Sequence, residues 1–159
     1  MRFLRLASLI AVSFVVFALA ACGSQASSQV RQIVSTTSFG MCMGYCSTRL
    51  EISDGQAVLI RTARGGRGGV TTLPDQRFTA PLDANEWQEI VRLAENTKLD
   101  GLPSVIGCPD CADGGAESLT IVGPDGPKTI SFEHGAAIEQ AQPLLERVRA
   151  LRTRLMPKS

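Results

Sequence analysis

The pattern of hydrophobic and polar positions divides the chain into three parts. Residues 1–21 are almost entirely apolar after an arginine-containing start, and residues 22–30 are small and polar. From residue 31 to about residue 156, short stretches of alternating apolar and polar side chains are followed by amphipathic stretches, which is typical of strands and helices. The pattern therefore predicts one globular domain, residues 31–156, behind two N-terminal segments of a different kind.

The first half of the domain predicts a β-hairpin followed by a helix. Residues 48–53 alternate between apolar and polar side chains, and the Asp-Gly pair at 54–55 favours a tight turn into a partner strand at 57–62. Asp83 lies three residues before Glu86, the spacing of a capping box, so a helix is expected to begin there and run to about residue 98. Short strands are expected at residues 33–40 and 77–80. The apolar face of the helix consists of Trp87, Ile90, Val91 and Ala94.

The second half repeats this order. Apolar residues at 119–121 and 130–132 flank a Pro-Asp-Gly turn at 124–126, and Pro143 suits the first turn of a final helix that ends before Pro157. The apolar residues of that helix are Leu144, Val148, Leu151 and Leu155. Its arginines, expected on or beside the solvent face, are Arg147, Arg149, Arg152 and Arg154. Two hairpin-plus-helix units predict an α+β fold, a mostly antiparallel sheet with both helices packed on one face.

The first 21 residues have the profile of a signal peptide. Arg2 and Arg5 precede an uncharged apolar stretch that is shorter than the roughly 20 residues needed to cross a bilayer. Residues 22–30 are too poor in apolar groups to pack, so they are expected to form a flexible tether. The chain is therefore expected to be exported.

The end of the apolar stretch, Leu19-Ala20-Ala21-Cys22, resembles the lipobox of bacterial lipoproteins. The resemblance implies that the signal is cut before Cys22, that its thiol receives a diacylglycerol and that the new amine is acylated. Two or more acyl chains make such an anchor stable. Because Gly23 rather than aspartate follows, the resemblance further implies the periplasmic face of the outer membrane. Ordinary secretory cleavage at the Ala-x-Ala of residues 18–20 is the alternative.

Charge narrows the choice of partners. The chain has 159 residues with 16 basic and 15 acidic side chains, and the two arginines before residue 22 leave 14 basic against 15 acidic ones. Nucleic acid is not an expected ligand, since it would demand a basic face. The glycine-rich segment 64–69 is expected to be a mobile loop, and its arginines suit contact with lipid phosphates better than contact with nucleic acid. The expected partners are the membrane, through the lipid on Cys22, and another envelope protein or component.

Four further cysteines form two close pairs. Cys42 and Cys46 are separated by three residues, and Cys108 and Cys111 by two. Disulfides are the default state of such thiols after export. Chain entropy favours cross-pairs, since closing about 65–70 residues contributes roughly 4–4.5 kcal/mol against about 2 kcal/mol for a local loop. A glycine in one pair and a proline in the other make tight local bends feasible. We favour local pairs and keep the cross-pairing open.

Thiol chemistry is the alternative to a structural role for these cysteines. The sequence Cys-Pro-Asp-Cys from Cys108 to Cys111 resembles the C-P-x-C of thioredoxin-like oxidants, although Asp110 and Asp113 would raise a thiol pKa rather than lower it. A zinc site formed by all four cysteines has suitable ligands, but thiolates are lost to disulfides in an oxidising compartment. A calcium loop is disfavoured because the aspartates before Glu117 lack the required alternation.

Residues 39 to about 155 resemble an uncharacterised bacterial domain family marked by C-x-G-x-C before a hydrophobic strand. The marker here is residues 42–46, CMGYC, and Ser47 stands where the family commonly has proline. Cys108 and Cys111 match an addition found in a subset of that family, and their joint occurrence implies that they pair with each other. The resemblance implies no established activity.

A catalytic site is not assigned. His134 is the only possible imidazole base, and no nucleophile, metal-ligand or phosphate-binding motif accompanies it. We therefore expect a lipid-anchored envelope lipoprotein whose small disulfide-stapled domain is a non-catalytic binding or structural module, with no cofactor besides the lipid on Cys22. The alternative is a thiol-redox or metal-binding protein that uses Cys108 and Cys111.

Overall fold

The computed structural model of the protein describes residues 29–64 and 73–158. The expected signal peptide, Cys22 and all but the end of the expected tether lie outside the described residues, as does most of the glycine-rich segment 64–69. The statements about them stay predictions. None of the helices in the described part has the length and apolar content needed to cross a lipid bilayer.

The described part contains a seven-stranded sheet and two α-helices. In chain order these elements are β1 (Gln32–Ser38), β2 (Gly44–Ser53), β3 (Gln56–Arg64), β4 (Gln76–Pro81), α1 (Ala84–Asn96), β5 (Val105–Ile106), β6 (Ala116–Gly123), β7 (Gly126–Glu133) and α2 (Gln142–Leu155). The strand order in the sheet is β4-β3-β2-β1-β6-β7-β5. All neighbours are antiparallel except β5 and β7, which are parallel. The predicted α+β fold with a mostly antiparallel sheet is confirmed.

Strand β1 joins the two predicted units in the middle of the sheet. Its Ile33 lies opposite Ile52 of β2 on one side and opposite Ile121 of β6 on the other. The first hairpin turns at residues 54–55, where only Gly55 has a positive φ, of 77°. The two-residue strand β5 was not predicted, because a segment so short carries no readable periodicity.

A single core lies between the helices and one face of the sheet. Ile33, Leu50, Leu59 and Leu119 are completely buried on that face. They pack against the apolar stripes of both helices in one cluster, so the positions predicted for both helix faces are confirmed. Leu145, which the prediction left out, is completely buried as well.

The predicted capping box of α1 is half formed. The Asp83 carboxylate accepts a hydrogen bond from the Glu86 N–H at 2.8 Å and so caps the helix. The Glu86 carboxylate does not return to the backbone of Asp83. It accepts hydrogen bonds from Arg147 at 2.7 Å and Arg154 at 2.8 Å. Glu86 therefore joins α1 to α2.

A row of polar side chains crosses the core face near one end of the sheet. The row occupies neighbouring positions in five adjacent strands and consists of Gln76, Arg61, Thr48, Thr37 and Glu117. The Arg61 guanidinium donates to the Gln76 amide oxygen at 2.9 Å, and the Thr37 and Thr48 hydroxyls are 2.7 Å apart. Mutual hydrogen bonds of this kind reduce the cost of placing polar groups on a core face.

Glu117 is the charged member of this row, and its carboxylate is held by two arginines of α2. It is 1% exposed and accepts hydrogen bonds from Arg149 at 2.8 Å, from Arg152 at 3.3 Å and from the Gly135 N–H at 3.3 Å. Burial alone would raise the pKa of Glu117, but Arg149, Arg152 and the Gly135 N–H together lower it below its ordinary value. Glu117 is therefore an anion in the folded protein.

The expectation that the α2 arginines lie mainly on or beside the solvent face is wrong for Arg152. Arg152 is only 8% exposed and also binds the Ser35 hydroxyl, while Arg149 is half-buried. Burial lowers the pKa of Arg152, and the Glu117 carboxylate opposes that shift. The reason for the difference is that a buried carboxylate on the sheet attracts both guanidinium groups inward.

We expect Glu117→Gln to lower the free energy of unfolding by about 3–5 kcal/mol, because it leaves two guanidinium groups without a counter-charge in the core. Urea unfolding followed by the fluorescence of Trp87, the only tryptophan, measures this. The control is Glu51→Gln, which removes a more exposed ion pair with Arg49 and should cost at most about 1 kcal/mol. Equal effects of the two substitutions would contradict the role of Glu117 as the buried counter-charge of the α2 arginines.

The lowered pKa of Glu117 also predicts a specific loss of stability in acid. The contribution of a carboxylate with a depressed folded pKa is complete above its unfolded value, here 4.5, and is lost as the pH falls through the folded value. As the pH falls below about 5, the stability of the wild type should therefore fall more steeply than that of Glu117→Gln. Urea midpoints measured at several pH values test this, and parallel curves for the two proteins would argue against it.

Candidate functional site

Both cysteine pairs lie at the same end of the sheet. This region, called here the disulfide end, consists of residues 39–46, 107–115 and 133–135. It contains the connection from β1 to β2, the connection from β5 to β6 and the end of β7. It lies just beyond the polar row, on the side away from the β2–β3 and β6–β7 turns.

Cys42 and Cys46 form a disulfide within the β1–β2 connection, with their Cα atoms 5.5 Å apart. The pairing register of β2 shifts between Tyr45 and Ser47, so Cys46 is the extra residue of a bulge. Its side chain is buried at 3% exposure, and its carbonyl accepts the Phe39 N–H at 3.1 Å. This disulfide fixes the beginning of β2.

Cys108 and Cys111 form the second disulfide, also with Cα atoms 5.5 Å apart. Both residues are exposed, unlike Cys46. The Cys108 N–H donates to the Glu133 carboxylate at 3.1 Å, and this bond ties the loop to the end of β7. The predicted local pairing is thus confirmed for both disulfides, and the domain is stapled twice.

The two disulfide loops touch each other although more than 60 residues separate them in the sequence. The Gly40 N–H donates to the Asp110 carboxylate at 3.1 Å. The Phe39 ring packs on Gly115, where a β-carbon would lie 2.5 Å from the ring. Gly115 also has a φ of 83°, so glycine is required there for both its conformation and its size.

A four-cysteine zinc site would need all four sulfurs as thiolates. In the structure these sulfurs form two local disulfides instead, so they are not present as thiolate ligands. Within residues 29–64 and 73–158, no group of three or more His, Cys, Asp or Glu side chains is arranged to hold a metal ion. The acidic residues of the disfavoured calcium loop bind different groups. Glu117 binds the arginines of α2, whereas Asp110 binds the Gly40 N–H.

His134 lies at the disulfide end as an exposed side chain. Its ring centroid is 4.8 Å from that of Phe39, and its backbone N–H donates to the Gly115 carbonyl at 3.1 Å. Within residues 29–64 and 73–158, the contact recorded for the imidazole ring is the one with Phe39, and no side-chain hydrogen bond of His134 is seen. The geometry therefore gives His134 a packing role beside Phe39.

The most exposed apolar side chains of the described residues are also at this end. Met41 is 72% exposed and Met43 is 84% exposed, on either side of Cys42. Next to them the Tyr45 hydroxyl donates to the Pro74 carbonyl at 2.9 Å, and the Arg61 guanidinium lies 4.6 Å above the Tyr45 ring. The disulfide loop thus presents two flexible thioether side chains beside a fixed aromatic and cationic pair. Sequence analysis missed both methionines, although their place in the loop between two predicted strands was a signal of exposure.

A cavity of about 580 Å³ opens at the opposite end of the sheet. It lies between α1 and the β6–β7 turn, and its lining includes Gln29, Val91, Ile121 and Lys128. The Lys128 ammonium is paired there with the Asp100 carboxylate at 2.6 Å. The cavity is therefore beside the point where the chain enters the domain, and the disulfides are not part of it.

Comparison with known proteins adds no family assignment. A scan of the chain against protein-family models finds no match, and a search of curated proteins finds none either. The arguments about function below therefore rest on the residues and the geometry described above.

Proposed function

We propose that the protein is an exported lipoprotein, anchored to a membrane of the cell envelope through Cys22, whose disulfide end binds another envelope component. The observation that carries this proposal is that the entry point of the chain and the disulfide end lie at opposite ends of strand β1. Two disulfides in one small domain support the export, because such bonds persist in oxidising compartments.

The direction of β1 orients the domain relative to the proposed anchor. Gln32, its first residue, pairs with Val122 near the β6–β7 turn, whereas Ser38 leads into the disulfide end. The strand between them has seven residues and spans about 23 Å. Cys22 precedes Gln29 by seven residues, so the proposed tether joins the domain at the turn end. The disulfide end is then the end farther from the tether, which leaves it accessible to a partner.

The surface of the disulfide end suits an apolar or amphipathic patch on a partner protein. Methionine side chains adapt to irregular apolar surfaces, and Met41 and Met43 are the outermost ones here. The loop that carries them is closed by Cys42–Cys46 and held by the bond from Gly40 to Asp110. A loop fixed before binding loses little conformational entropy when it docks, which favours affinity.

We expect the mature protein to begin at Cys22 and to carry a diacylglycerol and an N-acyl group. Intact mass analysis of protein extracted from membranes measures both, and Cys22→Ser should abolish the acyl mass increment. Because Cys22 lies before the domain, the substitution should leave the urea midpoint of the domain unchanged. A native protein that retains Met1, or one without any acyl increment, would contradict the proposed anchor.

We expect a photo-reactive amino acid at position 43 to cross-link to a discrete envelope protein in intact cells. The same amino acid at Asp54, in the exposed β2–β3 turn, is the matched control and should give no such adduct. Replacing Met41 by serine in the position-43 reporter should weaken the adduct, because the two side chains share one surface. An adduct formed equally from both positions, or from position 54 alone, would contradict binding through the disulfide end.

A further inference from the structure

We propose that Cys108–Cys111 is a reversible thiol–disulfide exchange site, which a dithiol reductant opens while the domain stays folded and Cys42–Cys46 stays closed. The inference does not depend on the proposed partner binding, because it needs only the two disulfides and their surroundings. In this proposal Cys42–Cys46 has a purely structural role, whereas Cys108–Cys111 also takes part in thiol–disulfide exchange.

Access to sulfur is the first difference between the two bonds. Exchange begins when a thiolate attacks one sulfur in line with the S–S bond, so the sulfur must be reachable. Cys108 and Cys111 are both exposed in the β5–β6 connection, whereas Cys42 is half-buried and Cys46 is 3% exposed at the beginning of β2. A reductant therefore reaches Cys108–Cys111 without disturbing the core.

Backbone conformation is the second difference. Asp110, Ala112 and Asp113 have φ values of 63°, 50° and 59°, within or next to the ring that Cys108–Cys111 closes. Aspartate tolerates this left-handed region, but alanine adopts it rarely because its β-carbon crowds the following carbonyl. In the Cys42–Cys46 loop the described left-handed residue is Gly44, which is unstrained there. Ala112 directly follows Cys111, so opening Cys108–Cys111 gives this strained residue freedom to relax, and strained, exposed disulfides are the more easily reduced ones.

The chemical step balances with a dithiol of the thioredoxin type as the reductant. One thiolate of the dithiol attacks the sulfur of Cys108 or Cys111, the S–S bond breaks, and a mixed disulfide forms while the released sulfur takes up a proton. The second thiol of the reductant then attacks the mixed disulfide and frees the other cysteine. Two electrons and two protons pass to the protein, and the reductant leaves as its disulfide.

Reduction has a local structural consequence at the neighbouring loop. Asp110 lies inside the ring closed by Cys108–Cys111, and its carboxylate holds the Gly40 N–H. Once the ring opens, Asp110 is free to leave its left-handed conformation and this bond loses its fixed acceptor. The state of Cys108–Cys111 therefore controls how firmly the loop with Met41 and Met43 is held.

The test equilibrates the full chain carrying Cys22→Ser, in detergent, with graded ratios of reduced to oxidised dithiothreitol. Free thiols are then alkylated and the protein is digested with trypsin, which separates the two pairs into peptides 32–49 and 99–128. We expect Cys108–Cys111 to be half reduced at a ratio at least about tenfold lower than Cys42–Cys46 requires. The fluorescence of Trp87 should keep its folded value at that ratio, since Trp87 is buried in the core.

Ala112→Gly supplies an independent check, because glycine adopts the left-handed region without strain. It should raise the ratio needed to reduce Cys108–Cys111 by about fivefold. The matched control is Ala137→Gly, at an exposed position with an ordinary backbone conformation, which should change nothing. In the equilibration experiment, the proposal is overturned if the two disulfides open together, if Cys42–Cys46 opens first, or if opening coincides with unfolding. A disulfide-linked peptide that joins 32–49 to 99–128 would also overturn it. In the second experiment, equal behaviour of both glycine variants would overturn it.

Discussion

The buried carboxylate of Glu117 is the interaction on which the arrangement of this domain depends. It lies on the core face of β6, and it is reached from α2 by Arg149 and Arg152 and from the β7–α2 connection by the Gly135 N–H. A buried ion pair adds little net stability compared with apolar residues of the same volume, but a mispaired one is very costly. A slip of one residue in β6 would turn Glu117 to the opposite face of the sheet. The pair therefore fixes the position of α2 on the sheet more than it increases stability.

The polar row that contains Glu117 divides the domain into regions with different sources of stability. On one side of the row, apolar residues such as Leu50 and Leu119 are completely buried beneath the two helices. On the other side, the loops 39–43 and 107–115 are held by disulfides, by the bond from Gly40 to Asp110 and by the packing of Phe39 on Gly115. Covalent bonds replace hydrophobic burial at this end, as is common where a small domain cannot extend its core. Side chains there are thus free to face solvent without loss of order.

This division gives the proposed function a physical basis. The turn end receives the chain from its N-terminal segment, and the disulfide end is fixed, exposed and apolar at Met41 and Met43. The two disulfides also differ in kind. Cys42–Cys46 belongs to the sheet through a bulge, whereas Cys108–Cys111 closes an exposed loop with left-handed residues. According to the exchange proposal, the exposed bond is the reactive one and the bond in the sheet is the structural one, although both have similar spacing in the sequence.

The sequence by itself determined the local elements, because each depends on residues close together in the chain. Alternation identified the strands around Leu50 and Leu119, and the spacing of Asp83 and Glu86 located the start of α1. The spacing of the cysteines favoured local pairs but left cross-pairs open, and the folded structure decided between them. Only the tertiary structure decided which polar side chains form hydrogen bonds or ion pairs with each other. Glu117 shares its face of β6 with Leu119, but its contact with Arg149 and Arg152, more than 30 residues later in the chain, was not predicted. In the same way, Glu86 binds α2 instead of completing its own cap, and the two disulfide loops meet at Gly40 and Asp110. Periodicity encodes the face on which a side chain lies, whereas its partner depends on how distant segments pack, and that is a property of the whole fold.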